Sequence, residues 1–329
     1  MPTKREDYLY LSASLRAREP RMLSREKAER MLDAPSYAEC AKLLTDCGFE
    51  DMSQMNATEI DRALSLARAE IFRELSLQPP ARELVDLFRV KYDYHNAKTI
   101  LKAEAMDSDP LPVMSASGRM APEALLAAWR EERLHELPER LARALEEGRE
   151  TLARTGNPQL ADFLMDQACF EELLAMADKR GNPFIRGYVA VLADSTNLKS
   201  AVRTARMGRN ADFLRLALVP GGKVDADRLA AAGGEGLAAL FQGSVLAEAA
   251  TLGAAAAEGG SLTAFERACD NAVTETLRAA KLVSFGEEAV VAYLAAVENE
   301  ITAVRMILTG RLAGIAPQTI RERLRDLYA

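Results

Sequence analysis

Aromatic residues make up only 6% of this chain, with a single tryptophan, Trp129. A core for 329 residues must therefore come mostly from aliphatic members of the 49% that is hydrophobic. Ala and Leu in such numbers favour closely packed helices over sheets. Histidine is scarcer still, with only His95 and His135. His135-Glu136 is not followed by the second histidine of H-E-x-x-H, and no G-x-S-x-G elbow occurs. The four cysteines, Cys40, Cys47, Cys169 and Cys269, form no C-x-x-C pair. They sit in helical patterns as small apolar residues, none in a cluster of zinc-ligand spacing, which suits a reducing, cytoplasmic setting better than a disulfide framework. No metal or cofactor is expected.

Long apolar runs are also missing. The longest, 289–297, falls far short of the roughly 18 residues that a membrane-spanning helix needs. The N-terminal MPTKREDYLY carries charges where a signal peptide would be apolar. Positive charge is in deficit: 42 basic against 49 acidic residues leave −7. A nucleic-acid partner, which needs a basic field, is disfavoured. The segment PGGKVD around Lys223 is not a phosphate loop. Ala217 stands where the earlier glycine belongs, and Val224 follows the lysine instead of Ser or Thr.

What is present is helical periodicity. In 60–75 the apolar residues fall at Ile60, Ala63, Leu64, Ala67, Ile71 and Leu75; in 265–280 they fall at Phe265, Ala268, Cys269, Ala272, Val273, Leu277 and Ala280. Both stripes predict helices with one buried face. No sustained alternation bounded by hairpin turns predicts a strand. Breakers at Pro79-Pro80, Pro110, Pro112, Gly156-Asn157-Pro158, Gly181-Asn182-Pro183, Pro220-Gly221-Gly222 and Gly259-Gly260 separate the helices. The Ala/Gly-rich stretch 230–260 reads as weakly specified helices. The fold class is all-α.

Three segments resemble one another: YDYHNAKTILKAEAM, ADSTNLKSAVRTARM and AVENEITAVRMILTG. Aligned on Asn96, Asn197 and Asn299, each carries an apolar residue five positions on (Leu101, Val202, Val304) and a base six positions on (Lys102, Arg203, Arg305). Upstream, helix starts recur after Ser24, after Ala121 and after Asp225. Ser24 and Asp225 suit an N-cap and Pro122 the first helical turn. Two features at near-constant separation indicate a repeat of about 100 residues, dividing the chain into 1–107, 108–209 and 210–329.

The repeats share charges. The first has Asp93, Lys98 and Lys102; the second Asp194, Lys199 and Arg203; the third Glu298, Glu300 and Arg305. If the three helices converge, these residues form a charged collar for a partner. In the asparagine alignment the third repeat is lopsided, with Ala296 in place of the aspartate and Ile301 in place of the lysine.

KYDYHNAKTILKAE, LADSTNLKSAVRTA and VENEITAVRMIL, with the tail TGRLAGIAPQTIRERLRDLYA and the start from LSASLRAREPRMLS to LLTDCGFED, resemble the family of C subunits of V-type (archaeal and bacterial A/V-type) ATPases, whose eukaryotic counterpart is called the d subunit. The resemblance implies three pseudo-symmetric helical bundles around a central cavity, shaped like a funnel. It implies a non-catalytic place in the central stalk at the cytoplasmic face of the membrane. There the part would couple the proteolipid rotor ring to the D and F subunits of the shaft. Two other readings stay open at this level: a helical adaptor of another assembly, and an enzyme using Asp194, Lys199 and Glu298 in the cavity.

Overall fold

The computed structural model describes residues 4–328, without the side chain of Glu235. Every regular element among them is helical, so the expected all-α class holds. Contacts divide the chain into two compact units, one of Met1–Val85 with Ser261–Ala329 and the other of Asp86–Gly260.

The first unit contains α1 (Leu9–Arg18), α2 (Arg25–Asp33), α3 (Tyr37–Lys42) and α4 (Ala57–Ser76). The long helix α5 (Arg82–Ala105) starts in this unit and lies mostly in the second. The second unit continues with α6 (Pro122–Arg130), α7 (Glu139–Thr155), α8 (Pro158–Arg180) and α9 (Pro183–Arg206). It ends with α10 (Ala211–Ala217), α11 (Ala226–Ala231), α12 (Gly233–Leu240) and α13 (Ala247–Ala257). The chain then returns to the first unit with α14 (Leu262–Arg278), α15 (Glu287–Leu312) and α16 (Pro317–Arg323).

Helix starts follow local chemistry. The hydroxyl of Ser24 accepts from Lys27 N at 3.3 Å, and the Asp225 carboxylate from Arg228 N at 2.9 Å. Asn56 and Glu59 form a reciprocal capping box at α4. Asn157 and Asn182 cap α8 and α9, each followed by a proline at the first helical position. The 230–260 stretch carries the short helices α12 and α13, in line with its composition.

In the first unit α15 packs against α1, α2, α3, α4, α14 and α16. Its apolar run is buried on all sides, from Ala289 through Val297. A helix apolar all round belongs either in a core or in lipid. No helix among the described residues is long and apolar enough to cross a membrane. The stripe of α4 differs from the expected one. Arg68 and Phe72 are buried where Ala67 and Ile71 are half-buried. Arg68 reaches Ser65 Oγ at 3.1 Å, so its head is not stranded by burial.

In the second unit α9 packs against α8, α10, α12 and α13, and α7 lies along α8. Gly187 in α9 has open space where a Cβ would go. A helix-interior glycine costs about 0.5–1 kcal/mol relative to alanine. Gly187→Ala should therefore raise the urea midpoint of unfolding; an unchanged or lower midpoint would count against this placement of α9.

Candidate functional site

The candidate residues recur separately on α5 and α9 of the second unit and on α15 of the first, the three longest helices among the described residues, and are best located from the C-terminal ends of those helices. Each ends in a six-residue Schellman turn. Ser108 N donates to Ala103 O (2.9 Å), Arg209 N to Thr204 O (3.1 Å) and Ile315 N to Gly310 O (2.9 Å). The left-handed residue of each turn is Asp107, Gly208 or Gly314. Fourteen residues before it stands a buried acid each time: Asp93 (93 to 107), Asp194 (194 to 208) and Glu300 (300 to 314).

The three acids do one job. Each accepts one or two backbone N–H groups from the chain leading into a short helix: α6, α11 or α2. Asp93 Oδ1 accepts from Arg119 N at 2.8 Å and Met120 N at 3.3 Å, just before α6. Asp194 accepts from Lys223 N at 3.0 Å and Val224 N at 3.1 Å, just before α11. Glu300 accepts from Leu23 N at 2.6 Å, just before α2. The third helix thus ties the C-terminal part of the chain to its N-terminal part. Two glycines make the first two contacts possible: a Cβ on Gly118 would fall on Asp93 Oδ1, and one on Gly222 on Asp194 Oδ1.

Asn96 and Asn197 support the same lead-ins three residues on. Asn96 exchanges two hydrogen bonds with the Ser115 backbone, and Asn197 two with that of Val219. Asn299 does something else: its Nδ2 donates to Thr274 Oγ1 and to Asp326 O. Relative to its acid, the asparagine of α15 is therefore displaced by four residues from those of α5 and α9. In the structural register Glu300 answers Asp93 and Asp194, and Arg305 answers Lys98 and Lys199. The expected lopsidedness, with Ala296 opposite the aspartates and Ile301 opposite the lysines, is corrected: the acid and the base five residues later recur in all three helices.

Burial sets the electrostatics. It pushes the carboxyl of Asp93 up, against the pull of the Arg119 guanidinium, and raises that of Asp194 against two N–H donors. Burial raises Glu300 to about 7, with Leu23 N–H and Lys27 pulling the other way. Around Asp93 the compensation is ionic. Arg119 Nε reaches Asp93 Oδ2 at 2.6 Å and its Nη1 reaches Glu172 Oε1 at 2.5 Å, while Tyr94 OH donates to Glu172 Oε2 at 2.9 Å.

The bases lie further out. Lys98 pairs with Asp166 at 2.5 Å, Lys102 with Asp162 at 2.7 Å and Arg305 with Asp61 at 2.6 Å. Lys102 and Arg203 are exposed; Lys98, Lys199, Glu298 and Arg305 are half-buried. The structure thus separates the nine singled-out residues into three interior acids and six groups at or near the surface. Sequence reading missed Arg119, Glu172, Gly118 and Gly222. The glycine preceding each lead-in pair was the available signal.

The remaining chemistry is sparse. The N–H groups of Lys223 and Val224, which a phosphate loop would present to its ligand, are held by Asp194. His95 is exposed, with Nε2 3.4 Å from Val113 O. Cys40, Cys169 and Cys269 are buried free thiols and Cys47 is half-buried. Burial pushes Cys169 to about 12 and Cys40 to about 11, which removes thiolate reactivity. Among the described residues no group of three or more His, Cys, Asp or Glu could hold a metal ion. A cleft of about 250 Å³ in the second unit is lined by Phe88, Tyr94, Phe170 and Tyr188, with Lys98 and Asp166 among its polar residues.

Comparison with known proteins places this architecture. The family described as ATP synthase (C/AC39) subunit matches residues 11–323. The C subunit of the V-type sodium ATPase of Enterococcus hirae is 22% identical over 325 residues, covering 98% of this chain and 99% of that protein. The C subunit of the A-type ATP synthase of Methanocaldococcus jannaschii is 24% identical over 349 residues, covering 97% and 86%. The C subunit of the V-type ATP synthase of Thermus thermophilus is 26% identical over 214 residues, covering 62% and 65%. With its long helices tied by interior acids and the family signature running almost end to end, this chain belongs to the ATP synthase (C/AC39) subunit family.

Proposed function

We propose that this chain is a non-catalytic central-stalk subunit of a rotary V-type ATPase or ATP synthase. In this reading it joins the membrane ring of proteolipid subunits to the D and F subunits of the shaft at the cytoplasmic face of the membrane, and passes torque between them. The observation that carries the reading is the family match over 11–323, together with the end-to-end similarity to the C subunit of a sodium ATPase. The relatives include a sodium ATPase and ATP synthases, which suits a part indifferent to ion and to direction.

The physics of the fold supports the same job. A torque coupler must be stiff, and close-packed helices with interior hydrogen-bonded caps resist deformation. The repeats are read as 1–107, 108–209 and 210–329, grouped as a funnel around a central cavity. Lys98, Lys102, Lys199, Arg203, Glu298 and Arg305 form the partner-facing set. Asp93, Asp194 and Glu300 hold the helices that present it. Polar, steered contacts of this kind allow assembly and release.

The test is binding. The purified chain should bind a D–F shaft complex or detergent-solubilised proteolipid ring. Lys102→Glu, Lys199→Glu and Arg203→Glu combined should weaken that binding tenfold or more, about 1.4 kcal/mol, with unchanged helical circular dichroism. Unchanged affinity in the variant would remove the charged set. Failure of the unaltered chain to bind either partner would overturn the rotor reading.

A further inference from the structure

The three interior acids are not equally well held. Asp93 has two backbone donors and a guanidinium, and Asp194 has two backbone donors. Glu300 has one, Leu23 N. Its contact is also the one that joins segments near opposite ends of the chain, since residues 23 and 300 are 277 apart. Contacts between segments so distant in sequence can open without breaking a local turn or helix, and here a single donor holds the acid at such a seam.

The surroundings of Glu300 offer little compensation for a charge. From α2 comes Lys27, whose ammonium is already bonded to Arg21 O and Met22 O at 3.1 Å. From the turn after α3 comes Cys47, a thiol that burial holds neutral. On its own helix lies Tyr293, likewise raised by burial, with the Arg18–Glu74 pair beside it. The α4 acid Asp61 is taken by Arg305. Glu300 itself is 7% exposed. A carboxylate so placed is costly to bury, whereas the neutral acid keeps an oxygen for the Leu23 N–H.

We propose that Glu300 is a proton-operated latch on the seam between α15 and the chain entering α2: closed while the acid is protonated, loosened when it ionises. The sign follows from linkage. Burial raises the folded carboxyl from 4.5 to about 7. The closed state therefore binds the proton more tightly than the open one. Closure is strongest at acid pH and weakens as pH rises between those two values, levelling off above the upper one. The inference rests on the first unit alone and does not require the rotor reading.

Hydrogen exchange of the full-length chain between pH 5.5 and 8.5, corrected for intrinsic rates, tests it. Opening at the peptide containing Leu23 should rise roughly tenfold or more across that range. In Glu300→Gln the amide stays neutral and the rise should vanish. Lys27→Met removes the nearest cation, so its transition should move to higher pH. A flat wild-type profile at Leu23 would overturn the latch. So would an unchanged profile in Glu300→Gln, or, should that variant not fold, an unmoved transition in Lys27→Met.

Discussion

Replacing Arg119 with methionine should cost about 3–5 kcal/mol of stability, the range for removing one partner of a buried ionic network. Arg119 stands between two carboxylates, 2.6 Å from Asp93 Oδ2 and 2.5 Å from Glu172 Oε1. Burial alone would lower its basicity, but the two acids outweigh burial and raise it. Without the guanidinium, Asp93 and Glu172 face each other across apolar surroundings with only Tyr94 and backbone N–H groups left. Urea unfolding measures the loss. Glu172→Gln added to Arg119→Met should restore part of it, because one stranded charge is then gone. A loss below about 1 kcal/mol in the single variant would mean that the cluster is effectively solvated and carries no strain.

Gly222→Ala is the second large effect, expected at about 2–3 kcal/mol. The new Cβ would overlap Asp194 Oδ1, which holds Val224 N. Either the acid moves and strands two backbone N–H groups, or the lead-in to α11 shifts off α9. Gly118→Ala meets the same obstacle at Asp93 and should show a similar loss. Parallel losses at Gly118 and Gly222, set against the gain expected at Gly187, would show that the two lead-ins are one structural device used twice. A neutral Gly222→Ala would contradict the tight approach.

Much of this fold was legible in the sequence because helix caps and breakers are local. Ser24, Asp225, Asn157-Pro158 and Asn182-Pro183 each begin a helix where their chemistry places one. The register of α15 against α5 and α9 was not legible, for a geometric reason. Four residues are about 400°, so a one-turn slip rotates a helix face by only about 40°. The apolar stripe of α15 looks nearly the same either way, and Asn299 offered a false anchor. The true anchor is the left-handed residue ending each helix. Glycine at 208 and 314 hints at it, but Asp107 fills the first position, since aspartate tolerates that conformation.

The acids were misjudged in a similar way. Asp93, Asp194 and Glu300 read as collar charges because helix acids usually face water. Their neighbours told otherwise: Val90 and Ala97, which flank Asp93 on its face of α5, are both buried. What sequence could not show was where the matching donors lie, because backbone N–H groups carry no residue signature. The bases stand exposed or half-buried near the helix surface.

The central claim is that this chain links ring rotation to the shaft. The most direct measurement is ATP-driven ion uptake by vesicles carrying the rotary complex, assembled with and without it, with ATP hydrolysis followed in parallel. The account predicts that omission abolishes uptake while hydrolysis by the soluble catalytic part persists, and that adding the chain back restores uptake. Undiminished uptake in its absence would contradict it.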